Sequence, residues 1–248
     1  MESSLAEAEQ HRVLAEADAV RALTHATSPF VCFANGLTES PFASYTNGMA
    51  TPGQLVRVMA DVLGISKPTV VQYDRALAEN GLRSKSGRGT SAAKVTSSDA
   101  ANLLTAIGGS SPLGLSAKNA VEICKQFSAL TSIGPAESKS KVSALGLKGL
   151  ANLPDGHSFE RALSALIECA AQPEFSALDD ASVWVQFTGP IPGAQIIVGS
   201  WLFSHYANTR KYRRSLRSGV TERGLIHTSS LMTPGIRALG ALVAGGSS

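Results

Sequence analysis

The chain has 248 residues, and its shares of hydrophobic (44%) and charged (17%) residues are ordinary for a packed globular protein. A formal net charge of +3 is too small to imply a nucleic-acid partner by itself. The sequence holds no apolar run of about 18 residues, the length that a membrane-spanning helix needs, so no membrane partner is expected.

The cysteines argue against a metal site and against a disulfide framework. Cys32, Cys124 and Cys169 are odd in number, far apart, and form no CxxC pair. Free thiols in a reducing compartment are the simplest interpretation. The first residues also lack the basic stretch and apolar stretch of a secretory signal. We therefore expect a cytoplasmic protein.

Residues 1–48 are predicted to form a peripheral extension that is partly helical. The first 26 residues are rich in Ala and Glu and could form a weakly amphipathic helix. From residue 27 onwards the helix breakers Pro29, Asn35-Gly36 and Pro41 predict irregular structure. Clearer patterning begins at Met49. Whether residues 1–48 belong to the functional unit or precede a second start stays open.

Two helices joined by a tight turn are predicted next. Ala60 offers the small side chain that two closely crossing helices need, and Gly64 can adopt a positive φ in the turn. Val70, six residues after the glycine, would fill the space between the helices. Ser66 can cap the second helix, and Pro68 suits its first turn.

Over residues 51–96 this pattern resembles the winged helix-turn-helix DNA-binding regulators of bacteria and phages. The resemblance implies that the second helix enters the major groove of double-stranded DNA with its N-terminal face on the bases. The residues implied to face DNA are those exposed at the start of that helix, namely Lys67, Thr69, Val71, Gln72 and Arg75. Gln72 suits an adenine edge, whereas Val71 and the Thr69 methyl suit a thymine methyl. Lys67 and Arg75 suit phosphates, and for each of the five a solvated helix face is the alternative.

Residues 82–95 have the composition of a wing, with two short arms around a Ser-Gly-Arg-Gly tip. The basic side chains of this predicted wing are Arg83, Lys85, Arg88 and Lys94, with no acidic residue between 80 and 98. Residues 51–98 hold seven Lys or Arg against three Asp or Glu, a net charge of +4. This local excess predicts phosphate contact. A flexible basic loop without a partner is the alternative.

The sequence predicts no enzyme, cofactor or metal site. Gly87-Arg-Gly-Thr-Ser-Ala92 matches a dinucleotide-binding fingerprint, but no core strand precedes it. The histidines show no metal-ligand spacing, and neither a G-x-S-x-G elbow nor a Walker motif occurs. We therefore expect no catalytic, cofactor-binding or metal-binding residues.

Two further helices, at 97–107 and 116–131, are predicted to complete a first domain that spans residues 49–131. The first of them follows Thr96-Ser-Ser-Asp99, which has the spacing of a capping box. Glycines and prolines then predict a linker over residues 132–156.

Residues 157–248 are predicted to form a small α+β domain for dimerisation or partner binding. Apolar residues at helical spacing predict a helix over 157–171. Alternation of apolar and polar residues then predicts a strand with Val183, Val185 and Phe187 on one face. Its partner strand is predicted at 195–203, a third strand at 225–232, and a terminal helix at 234–244.

Two features of this second domain leave alternatives open. The basic cluster at 210–217, with Tyr206 and Tyr212 beside it, could contact phosphates, bind an acidic partner, or be a solvated face. Trp184 points away from the predicted core face of its strand. It therefore either marks a dimer or ligand surface or packs under a helix.

The predicted fold class is a mainly α N-terminal winged helix-turn-helix followed by a small α+β C-terminal domain. The predicted function is sequence-specific binding of double-stranded DNA by a transcription regulator of a bacterium, phage or mobile element. A nucleoid-associated homodimer is favoured, because one small module reads too few base pairs. The alternatives are a phage or mobile-element packaging or replication-initiation subunit, and a protein-interaction adaptor without DNA binding.

Overall fold

Helices and one antiparallel sheet build the part of the chain that the computed structural model describes, which comprises residues 50–84, 94–110, 116–133, 137–176, 178, 182–199, 201–208 and 226–245. The helices in these residues are α1 (Pro52–Leu63), α2 (Lys67–Glu79), α3 (Ser97–Gly108), α4 (Ala120–Ser128), α5 (Glu137–Ala144), α6 (Lys148–Ala151), α7 (Phe159–Ala170), α8 (Pro173–Ser176) and α9 (Thr233–Gly245). A short 3-10 helix (Ala117–Asn119) precedes α4. The strands are β1 (Thr131–Ile133), β2 (Val183–Gly189), β3 (Gly193–Val198), β4 (Trp201–Ala207) and β5 (His227–Met232).

Local sequence explains where the first helices begin. Thr51 and Gln54 form a capping box at the start of α1, in which the Gln54 side chain accepts from the Thr51 N–H at 2.7 Å. The capping box predicted at the start of α3 is confirmed. There Thr96 Oγ1 accepts from the Asp99 N–H at 3.1 Å, while Asp99 Oδ2 accepts from the Thr96 N–H at 2.9 Å.

The sheet has the strand order β1-β4-β3-β2-β5, and every neighbouring pair is antiparallel. The predicted third strand is present as β5, which pairs with β2. The single partner strand predicted over 195–203 is wrong, because the chain forms two strands there, β3 and β4. Gly199 lies between them with φ +62°, a conformation that lets the chain reverse inside an apolar run.

The described residues of the segment predicted to be a linker, 132–156, belong instead to strands and helices of the compact unit. Its start belongs to β1, which pairs with β4, and α5 and α6 follow. Val142, Leu147 and Leu150 are buried there. Glycine also permits short turns inside a domain, as Gly146 does with φ +82°, so glycines alone do not indicate a linker.

One hydrophobic core extends through the described residues, from Leu55 in α1 to Leu242 in α9. All of these residues belong to one compact unit spanning 42–248. The predicted division at 132–156 therefore does not separate two cores. The mixture of helices and an antiparallel sheet agrees with an α+β fold in the broad sense.

Helix α3 lies at the centre of this core and contacts α2, α4, α7 and strand β2. Eleven of its 12 residues are buried, which its small side chains allow. At its C-terminal end, a Cβ on Gly108 would come within 2.8 Å of the Phe187 ring, so helix and sheet meet closely there. α3 thus joins α2 to the sheet.

Helix α9 connects the sheet to the start of the described chain, because it packs against both α7 and α1. Ile236, Leu239 and Leu242 bury its inner face. Gly240 lies against the backbone of Ala170, where a Cβ would be 2.5 Å from the carbonyl carbon. Only glycine lets the two helices approach this closely.

A buried histidine joins the sheet to the loop before α7. His157 Nδ1 lies 2.8 Å from the Pro154 carbonyl oxygen, so that nitrogen carries the proton and donates. Nε2 lies 2.9 Å from the Tyr206 hydroxyl. A neutral ring that is protonated on Nδ1 accepts from the Tyr206 O–H at Nε2, and the burial of His157 favours this neutral form.

This histidine makes stability depend on pH. Burial lowers the pKa of His157 below its usual 6.5, with the cations Lys139 and Arg161 adding to that direction, while the Pro154 carbonyl and Asp155 oppose it. Because the unfolded chain binds the proton more readily, stability should be full above about pH 6.5 and fall as pH drops below it.

His157→Gln should lower the free energy of unfolding near neutral pH. It should also make that free energy depend less on pH below about pH 6.5. Urea unfolding at several pH values measures both quantities, and an unchanged slope would contradict the assignment.

Candidate nucleic-acid interface

The turn between α1 and α2 has the geometry that its sequence predicted. Gly64 has φ 63° and ψ 30°, in the left-handed region, and its N–H donates to the Ala60 carbonyl. The Ile65 N–H donates to the same oxygen at 3.0 Å. Ala60 and Val70 are both buried, Val70 completely. The turn therefore fixes the direction in which α2 leaves α1.

The start of α2 is held by its own side chains. Ser66 Oγ accepts from the Thr69 N–H at 3.4 Å and lies 2.8 Å from Thr69 Oγ1. Pro68 in the first turn needs no hydrogen-bond acceptor for its nitrogen. Since Thr69 is half-buried with its hydroxyl bonded to Ser66, its methyl group is the part left for a base contact.

One face of α2 is buried and the other is exposed. The buried face consists of Val70, Tyr73, Asp74 and Leu77. The Tyr73 hydroxyl lies 2.9 Å from Ser110 Oγ, just beyond the C-terminal end of α3, which ties the two helices together. This contact and the buried face anchor α2 to the core.

The predicted DNA-facing residues of α2 fall into two groups. Lys67, Gln72 and Arg75 are exposed. Thr69 and Val71 are half-buried, and Val71 packs partly against the core. The exposed group presents two cations and one amide, a set that suits phosphates and a base edge.

Arg83, predicted to contact a phosphate, is paired in the structure with a carboxylate of the fold. Its Nε lies 2.7 Å from Asp74 Oδ1, and only 10% of the Arg83 side chain and 12% of the Asp74 side chain are exposed. The guanidinium is therefore committed to a buried ion pair. Counting charges along the sequence could not show this, because it treats every basic residue as exposed.

The sequence nevertheless contained a signal for this pair. Asp74 lies at helical spacing from Val70 and Leu77, on the apolar stripe of α2, where a carboxylate needs a partner. Burial raises the pKa of Asp74, the Arg83 guanidinium lowers it, and Asp99 raises it.

The two described sides of the predicted wing are bonded to other parts of the fold. The Asn102 side chain donates to the Leu82 carbonyl at 2.8 Å, and the Val95 N–H donates to the Ala50 carbonyl at 3.0 Å. Residues 82–84 and 94–96 form no strand. Lys94 is exposed, whereas Lys85 and Arg88 lie outside the described residues. The wing hairpin thus stays a prediction.

Comparison with known proteins adds no family to these observations. No protein-family model, no curated protein and no solved structure matches this chain. The function of this chain is therefore inferred from the geometry of α1, α2 and the residues around them.

The other features that the sequence singled out are Trp184, Tyr206 and the basic cluster at 210–217. Trp184 is half-buried on the sheet face opposite Val183 and Val185, and its buried Nε1 has no hydrogen-bond partner among the described residues. Tyr206 belongs to the core, while the basic cluster at 210–217 lies outside the described residues.

In the part of the chain that is described, no three His, Cys, Asp or Glu side chains are grouped as metal ligands. Nor is any helix in that part both long and apolar enough to cross a bilayer.

Proposed function

We propose that this chain binds double-stranded DNA sequence-specifically through α2 and acts as a transcription regulator. The observation that carries the proposal is the exposed face of α2, which presents Lys67, Gln72 and Arg75 while the opposite face is locked into the core. The acidic residues of α2 do not interrupt this surface. Asp74 is buried against Arg83, and Glu79 ends the helix.

A helix of this kind suits the major groove, which admits an α-helix and displays a distinct hydrogen-bonding pattern for each base pair. Gln72 can bond both the acceptor and the donor of an adenine edge. Lys67 and Arg75, on either side of it, supply the phosphate contacts that set register. Val71 and the Thr69 methyl, both half-buried, are the proposed contacts for a thymine methyl.

One such helix reads only a few base pairs, so we propose that two copies bind a palindromic or repeated site. The oligomeric state on DNA distinguishes this function from a packaging or replication-initiation role. A dimer supports the regulator, whereas a ring of many subunits would favour the other role.

The proposal is tested by recovering bound genomic fragments and measuring affinity for the enriched duplex at several salt concentrations. Lys67→Ala should weaken binding to all sequences alike and reduce the slope of log affinity against log salt by about 1. Gln72→Ala should instead reduce discrimination at one base pair, by about 1 to 3 kcal/mol.

Matched controls come from exposed residues outside α2. Lys148→Ala removes the same charge and Gln172→Ala the same amide, and both should leave affinity unchanged. Failure of the wild-type protein to enrich any fragment, or affinity that does not respond to salt, would refute DNA binding.

A further inference from the structure

The two edges of the sheet differ in how their backbone groups are bonded. At the β1 edge, the loop before α7 supplies partners. The Ser132 N–H donates to the His157 carbonyl at 2.9 Å, and the Phe159 N–H donates to the Leu130 carbonyl at 2.8 Å. At the other edge, β5 pairs with β2, and no described residue pairs with the far side of β5. Because alternate residues of an edge strand direct N–H and C=O away from the sheet, β5 offers these groups to a partner.

Strand β5 lacks the features that usually keep an edge from pairing with another chain. Its sequence, His-Thr-Ser-Ser-Leu-Met, has no Lys, Arg, Asp, Glu or Pro. It pairs with β2 over six successive residues without a register shift, whereas β3 and β4 have one between Ile196 and Ile197. Its C-terminal end is fixed, because Thr233 Oγ1 at the start of α9 accepts from the Val183 N–H at 2.9 Å. The edge is therefore regular, free of formal charge and held in place.

Two exposed apolar side chains lie at the ends of β5. Ile226, just before the strand, is 64% exposed, and Met232, its last residue, is 39% exposed. When β5 pairs antiparallel with a copy of itself about Ser229, Ile226 of one copy lies opposite Met232 of the other, twice over because the pair is symmetric. Thr228 then lies opposite Ser230, and both are exposed. This register covers both apolar side chains and opposes no two like charges.

We propose that β5 is the dimerisation strand and pairs antiparallel with β5 of a second copy, which joins two five-stranded sheets into one. The inference rests on the proposed function, which needs two copies on one duplex. The two-fold axis of such a pair is perpendicular to the sheet, so equivalent faces point the same way. Gly108 of α3 and Phe159 of α7 both contact Phe187 on the buried face. The helices of both copies, with α2 attached to α3, therefore lie on the same side of the joined sheet.

The experiment measures self-association of the full chain by analytical ultracentrifugation, without DNA. An interface made by one edge strand is smaller than the usual stable interface, so dissociation should be measurable on dilution. Thr228→Lys combined with Ser230→Lys brings two lysines of each copy together and should weaken dimerisation about ten-fold. Changing both residues to Glu should do the same. The residues beside them on β2, Thr188 and Gln186, carry no charge, so the monomer should fold normally.

An equimolar mixture of the Lys and Glu variants tests the pairing itself. Its heterodimer places opposite charges across the joint and should form about as tightly as the wild-type dimer. Thr131→Lys is the control, since it adds a charge at an exposed position of the β1 edge. This variant should dimerise like the wild type.

A second readout needs no variant. Amide hydrogen exchange in β5 of the wild type should become slower as the protein concentration rises, because pairing protects the outward N–H groups. A wild type that stays monomeric would overturn the inference. So would an oligomer that ignores the Lys variant, a mixture that does not recover, or exchange in β5 that is independent of concentration. If the wild type forms the β5-dependent dimer but enriches no genomic fragment, the proposed function fails while the pairing of β5 stands.

Discussion

Arg83→Met is expected to lower the free energy of unfolding by about 3 kcal/mol at neutral pH. The substitution leaves Asp74, at 9% exposure, as a buried carboxylate without its cation. The cost of an uncompensated buried charge exceeds the modest value of a surface ion pair. Urea unfolding of the purified variant measures the loss.

The loss should shrink as the pH is lowered. Burial already raises the pKa of Asp74 above its usual 3.8, and removing the guanidinium raises it further. Because the folded variant then binds the proton more tightly than the unfolded chain, its deficit in stability relative to the wild type should shrink as pH falls from neutrality towards the ordinary range of an Asp. The double variant Asp74→Leu, Arg83→Met should recover most of the stability at neutral pH, since an apolar pair leaves no charge buried.

Arg83→Met could instead be as stable as the wild type and show a smaller slope of log DNA affinity against log salt. That result would contradict the buried ion pair and restore Arg83 as a phosphate contact.

Gly240→Ala is expected to destabilise the protein by about 1 to 3 kcal/mol, although alanine is the better helix former. The new methyl group would lie 2.5 Å from the carbonyl carbon of Ala170 and 2.7 Å from its oxygen. Backbone atoms cannot rotate away as a side chain can, so α9 and α7 must move apart. Thermal unfolding measures the effect.

Gly53→Ala is the matched control for this prediction. Gly53 is also in a helix, but the nearest described atom to a Cβ there is Thr51 Oγ1, at 4.0 Å. This substitution should raise stability by up to about 1 kcal/mol, as helix propensity alone dictates. If Gly240→Ala were equally stabilising, the close approach of α9 to α7 would be refuted.

Much of the α1–α2 unit could be predicted because its determinants are local. Capping residues, a glycine in the turn and an apolar stripe all act within one or two helical turns. The same holds for the start of α3 and for the alternation in β2. These patterns specify elements without reference to the rest of the chain.

The features that the sequence did not reveal depend on distant partners. Strand β1 has three residues and exists through its pairing with β4, some 70 positions later. The turn at Gly199 lies inside an apolar run, and the hydrophobic pattern of that run predicts one continuous strand. Likewise, the pairing of Arg83 with Asp74 and of Ser84 with Asp99 depends on how α2 packs against α3, which no count of charges contains.

The position of α9 bears on how the molecule acquires its structure. About 170 residues separate the end of α1 from the start of α9, yet the two helices pack together. Contacts this distant raise contact order and slow folding, because a long stretch of chain must be ordered before they form. During synthesis, α1 therefore cannot pack against α9 until residues beyond 233 have left the ribosome. The contact between α1 and α9 consequently forms late, even though α1 itself is specified early and locally.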